Sequence, residues 1–231
     1  MLDRILEQRK LHSIGVHAIL LTAISFAVAK TMTENGDNPL PKKIICGWTI
    51  DSRKLLKEKY KSPQPLGMFI GTNGISSMKV PKPFHVTKDK FWKRAKNYAK
   101  DVTKIGTGHK HDNITMGFYS YMAKKVKSTD FGTIMSEMGM SQFQFQLSNL
   151  SNCSPGPDLV ATGPKFVDAD QVYFGVCGHG MQSIAVGVFC TTIYHNDRIC
   201  LAVCYNKKWL NKDFVRRFTQ EIDSVLDIAC S

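Results

Sequence analysis

The chain has 231 residues, 43% of them hydrophobic and 22% charged, an ordinary balance for a globular fold large enough to bury a sizeable core. Seven cysteines, an odd number with no Cys-x-x-Cys spacing, exclude a disulfide framework and a cysteine zinc site and favour a reducing, cytoplasmic setting. The net charge of +12 raises the question of an anionic partner, and a solvated basic face is the favoured reading.

In chain order, the apolar run from Ile14 to Ala29 imitates a signal peptide, with Arg4, Arg9 and Lys10 before it and Ala27-Val28-Ala29 at its end. It is short for a transmembrane helix and contains His17, Thr22 and Ser25, and Asp3 and Glu7 spoil the basic leader. The expectation is a buried helix with Ser13 as its N-cap and no transmembrane segment. A buried strand follows at Ile44 to Ile50, and it runs into Asp51-Ser52-Arg53. A second strand is expected from Leu66 to Ser76, with Gly67 and Gly71 permitting a bend. From Lys88 to Ile105 the side chains of Phe91, Trp92, Ala95, Tyr98, Ala99 and Val102 share one face of an amphipathic helix.

A polar loop, GTGHKHDN, then leads to a helical stretch from Ile114 to Lys127. The run FQFQLSNLS at 143–151 reads as a strand ending at Ser148-Asn149, and the loop from Ser151 to Lys165 holds three prolines and two glycines. Alternation on either side of His195-Asn196-Asp197 marks a β-hairpin over 184–206. Asn211 is then a good N-cap for a helix to about Ala229, along which Phe214, Phe218, Ile222, Val225 and Leu226 recur at helical spacing. Cys190, Cys200 and Cys204 fall within the strand patterns and read as small buried hydrophobes.

Basic residues cluster at 53–61, 88–104 and 123–127. No nucleic-acid module accompanies them, and the aromatics of the 88–104 helix lie on its apolar side, which disfavours nucleic acid as the partner. His109, His111 and Asp112 form an incomplete metal site, so no metal is expected. His179, between glycines in CGHG, reads as a turn residue. The Asp-Phe-Gly at 130–132 has no kinase context.

The strand with Ser148-Asn149-Leu150, the long loop, the hairpin with Thr191, Thr192, Tyr205 and Asn206, and the final helix occur in an order that resembles the C-terminal lobe of CoA-dependent acyltransferases. The superfamily is that of chloramphenicol acetyltransferase and condensation domains, and the alcohol acetyltransferase branch is the most similar. The segment SIGVHAILLTAISFAVAK has the form of that family's buried helix, and LGMFI resembles its Leu-Gly-Asn strand with Met68 in place of Asn. The resemblance implies an α/β, two-layer lobe, a mixed β-sheet packed by helices, over residues 1–231 as a single unit.

The family's His-His-x-x-x-Asp-Gly signature does not occur in the chain. By that resemblance the N-terminal catalytic lobe is missing, and the expected partner is a histidine-bearing lobe or a second copy. The implied activity is transfer of an acyl group from acyl-CoA, a co-substrate and not a tightly bound cofactor, to a small alcohol or amine, inactive in the lobe alone. Two further functions stay open, a non-catalytic acyl- or lipid-binding regulatory lobe and a basic domain for nucleic acid or acidic membrane. Carried over from the family, Ser148 would donate a hydrogen bond to the tetrahedral oxyanion. Arg53 would pair with the signature Asp and orient the catalytic loop, and Asn149 would hold the strand-end turn.

Overall fold

The computed structural model describes residues 1–34, 42–51, 70–80, 85–106, 145–152, 186–193, 198–207 and 210–231. Helix α1 (Leu2–His12) is mostly polar and buries only Leu2 and Ile5. It stops at Ser13, which adopts the left-handed conformation with φ 55°. The Ser13 N–H bonds the Lys10 carbonyl at 3.3 Å and the Ile14 N–H bonds that of Arg9 at 3.1 Å. Ser13 therefore closes α1 and does not cap the next helix, which corrects the N-cap expectation. Helix α2 (Val16–Glu34) begins instead on Gly15, whose carbonyl accepts from the Ala18 and Ile19 N–H groups at 3.0 and 3.3 Å.

Every residue from Ala18 to Ala29 is buried, which explains why this helix shows no polar face. By length and composition it could cross a membrane, but 72% of its most apolar window lies inside the molecule. Two of its buried hydroxyls are satisfied within the helix, Thr22 and Thr31 each donating at 2.8 Å to the carbonyl four residues back. The expectation of a buried helix holds here.

Helix α3 (Lys88–Gly106) buries Phe91, Trp92, Ala95 and Tyr98 on the face that the sequence pattern marks, and α4 (Lys212–Cys230) buries Phe214, Phe218, Ile222, Val225 and Leu226. The Asn211 side chain caps α4 by accepting from the Phe214 N–H at 2.7 Å, as expected. Helices α2, α3 and α4 pack together. Trp92 links them to α1, since its Nε1 donates to the Ala229 carbonyl at 3.1 Å and its ring stacks on His12 at 3.9 Å. Lys30 of α2 reaches Glu221 of α4 at 2.7 Å.

Beneath these helices lies a five-stranded mixed sheet, ordered β2-β1-β3-β4-β5. Its strands are β1 (Lys43–Asp51), β2 (Ile70–Lys79), β3 (Phe145–Asn152), β4 (Val186–Ile193) and β5 (Arg198–Tyr205). The two outer pairs are antiparallel, and β1–β3 and β3–β4 are parallel. Strand β2 runs three residues past the expected end at Ser76, because Ser77, Met78 and Lys79 continue the ladder opposite Ile45, Ile44 and Lys43. The hairpin is in the expected place, with Val186 opposite Tyr205 and Ile193 opposite Arg198. Its turn at 194–197, the helix expected at 114–127 and most of the 151–165 loop lie outside the described residues.

Alternation sorts the sheet into two faces. Ile44, Cys46 and Trp48 of β1, Phe145 and Leu147 of β3, and Val188 and Cys190 of β4 are buried in one core with the helices. Cys190 and Cys200 are buried and Cys204 is half-buried, all three as free thiols. The architecture is the expected one, helices on one face of a mixed sheet.

Candidate functional site

The face of the sheet turned away from the helices is where chemistry can be assembled, and its middle strand is β3. Along β3, Phe145 and Leu147 point into the core, so Gln146 and Ser148 point the other way and are both half-buried. In register, Gln146 stands between Gly47 of β1 and Gly187 of β4, with Cys204 of β5 beyond. A glycine therefore stands directly on each side of Gln146 in this row. Ser148 lies one row further along, beside Phe189 and Ala202. A hydroxyl there can donate one hydrogen bond to an anion lying over the sheet.

Two sequence expectations change. Strand β3 does not end at Ser148 but continues to Asn152, with an irregularity in its pairing to β4 between Asn149 and Asn152. Asn149 is therefore a strand residue paired with Cys190 and not part of a strand-end turn. It falls on the same face as Phe145 and Leu147, opposite to Ser148. The sheet thus joins Ser148 with Gln146 and separates it from Asn149. Gln146 carried no sequence signal, because its setting comes from glycines on two other strands. Arg53 lies outside the described residues, two positions beyond the end of β1 at Asp51.

Among the described residues the histidines are His12, His17 and His85. None stands on the Ser148 face. His12 stacks on Trp92, and His17 is packed edge-on to Trp48 with ring centroids 6.2 Å apart. Burial pushes the His17 imidazole down to a pKa of about 4, and its Nε2 has no hydrogen-bond partner. An imidazole so placed stays neutral and out of reach of any substrate on the far face. His109, His111 and His179 lie outside the described residues. Among the described residues no cluster of three or more His, Cys, Asp or Glu side chains could hold a metal ion.

A second polar constellation is internal. The Ser25 and Tyr98 hydroxyls lie 2.6 Å apart, and the Cys46 thiol points at the same phenol from 3.5 Å. Burial raises the Tyr98 pKa, the Cys46 sulfur adding to the effect. With Tyr98 and Cys46 fully buried, this group ties α2, α3 and β1 together and offers no route to a substrate.

No protein-family model matches the chain, and no curated protein matches it in sequence; the likeness is structural. A trichothecene 15-O-acetyltransferase from Fusarium sporotrichioides superposes with a TM-score of 0.69 at 13% identity, covering 99% of this chain and 44% of that one. The epimerization domain of the third module of tyrocidine synthetase B gives 0.58 at 10% identity, covering 99% and 45%. The condensation domain of the monacolin K polyketide synthase MokA gives 0.57 at 13% identity, covering 99% and 44%. The chain thus spans under half the length of these proteins, and its helices and mixed sheet have the fold shared by chloramphenicol-acetyltransferase-like and condensation-domain proteins.

Proposed function

We propose that the chain is one lobe of an acyltransferase that moves an acyl group from a CoA thioester to a hydroxyl or amine, with Ser148 as an oxyanion donor. The observation that carries this reading is the acyltransferase fold together with a serine hydroxyl on the middle strand of the sheet, on the face free of the helix layer. The acceptor loses its proton to a histidine base and attacks the thioester carbonyl, the tetrahedral oxyanion takes a hydrogen bond from Ser148, and collapse expels the CoA thiolate, which recovers the proton. The base comes from a histidine-bearing lobe, since the chain lacks the His-His-x-x-x-Asp-Gly signature. Arg53 would steady that lobe's catalytic loop. Gln146, beside Ser148, offers a second donor, an amide, to the thioester or the acceptor.

Thiol release from acyl-CoA tests the reading. The chain alone should give no turnover above background, and adding a histidine-bearing lobe should restore it. In the restored enzyme Ser148→Ala should lower kcat by about a hundredfold with little change in KM, as loss of one oxyanion donor does. An unchanged kcat would remove the serine from the mechanism.

A further inference from the structure

On the helix side of the sheet, away from Ser148, a cavity of about 680 Å³ opens between α3, α2 and the edge strand β2. That volume is in the range of small-molecule sites. Its apolar lining comes from Phe26 of α2 and Met78 of β2, which are 6% and 3% exposed, and from half-buried Val80. Its remaining lining includes three cationic residues of α3, Lys90, Lys93 and Arg94. Among the described residues none of these three forms a salt bridge.

Arg94 is the most organised of them. Its guanidinium lies 3.9 Å above the Tyr98 ring, and one terminal nitrogen donates to the Ser77 carbonyl at 2.6 Å. Its Nε is buried without an acceptor. The guanidinium has further terminal N–H groups besides the one on Ser77, and these can donate to an arriving anion. The Tyr98 hydroxyl is held in turn by Ser25, so the platform beneath the guanidinium is fixed. Apolar walls beside three cations without a salt-bridge partner are complementary to an amphiphile with an apolar tail and one anionic head.

We propose that this cavity is a binding site for a single acidic amphiphile, its tail against Phe26 and Met78 and its carboxylate or phosphate head on Arg94, Lys90 and Lys93. The site is independent of the Ser148 face, so it stands or falls apart from the proposed acyl transfer. The anionic head discriminates this ligand from neutral lipids, because the cations otherwise gain nothing from its arrival.

Calorimetric titration of the purified chain tests it with three ten-carbon probes: decanoate, decyl phosphate and 1-decanol. The two anions should bind with micromolar affinity and the alcohol at least about tenfold more weakly, the difference expected from losing charge-assisted hydrogen bonds. Lys90→Gln with Lys93→Gln on the exposed side of α3 should weaken decanoate about tenfold or more while leaving the melting temperature unchanged, and Arg94→Gln should weaken it as much with the small loss of stability expected from its bond to Ser77. Val80→Trp keeps every charge and fills the cavity, and should weaken all three probes alike. Absence of decanoate binding by the folded chain overturns the proposal, as does equal affinity for 1-decanol. So does binding only to phosphatidylserine vesicles with none to monomeric decanoate, which would make the cations a membrane-surface patch.

Discussion

The two faces of the sheet are built from the same strands yet serve opposite ends. On β3, Phe145 and Leu147 disappear into the core while Gln146 and Ser148, one residue away in each case, stay half-buried on the other side. The helix side is crowded with Trp48, Phe145 and three helices, and the register places Gln146, Ser148, Phe189, Ala202 and Cys204 with two glycines on the far side. Among the described residues the helices and the large core side chains lie on one face, and Gln146 and Ser148 stand on the other. Substitutions should reflect that division.

The largest effect is expected at Trp48, which is 1% exposed. Trp48→Ala should destabilise the chain by about 3–5 kcal/mol, measured as a shift of the urea midpoint at constant m-value. A loss below about 1 kcal/mol, the typical cost of a substitution at an unselected position, would mean that the two faces do not differ as described.

His17 sharpens the same contrast through pH. Its folded-state pKa of about 4 lies below the ordinary 6.5, so between those values the unfolded chain binds the extra proton. Stability should therefore fall as pH drops from 6.5 towards 4, by on the order of 3 kcal/mol in total. Replacing the imidazole with a ring that does not titrate, His17→Phe, should flatten the stability–pH curve in that window. A curve of unchanged slope would place the acid sensitivity elsewhere.

A smaller effect is expected at the Asn211 cap. Asn211→Ala should cost about 1 kcal/mol and Asn211→Asp almost nothing, both read from thermal unfolding. Smallest of all should be Ser148→Ala and Gln146→Ala, within about 0.5 kcal/mol of the parent. Should either prove as costly as Trp48→Ala, the far face would be a second core.

What the sequence revealed tracks how local the cause is. The hairpin, α4 and the buried face of α3 rest on short-range alternation, helical spacing and a cap, and all three stand where expected. Helix α1 escaped notice because it buries only Leu2 and Ile5, and its charges imitate a leader. Ser13 was misassigned because a serine before an apolar run satisfies the capping pattern, and its left-handed backbone has no signature in the side chain. Strand order and the glycine-flanked setting of Gln146 depend on pairings between distant segments. For the candidate site, Ser148 was legible as a strand hydroxyl. Its neighbour Gln146 was not, and Asn149 proved to sit on the opposite face.

The parallel pairing at the centre of the sheet also governs how the chain assembles. The β4–β5 hairpin joins neighbours in sequence, whereas β3 must find Cys46 on one side and Val186 on the other across long stretches of chain. Closing such loops costs entropy before any contact repays it, so β3 should be seated late. Pulse-labelled hydrogen exchange during refolding should find β4 and β5 amides protected before those of β3. Until then the hairpin presents Val186 and Val188 along an unpaired edge, and refolding yield should fall as chain concentration rises. The middle strand that carries Ser148 is thus the one whose delay exposes the protein to aggregation.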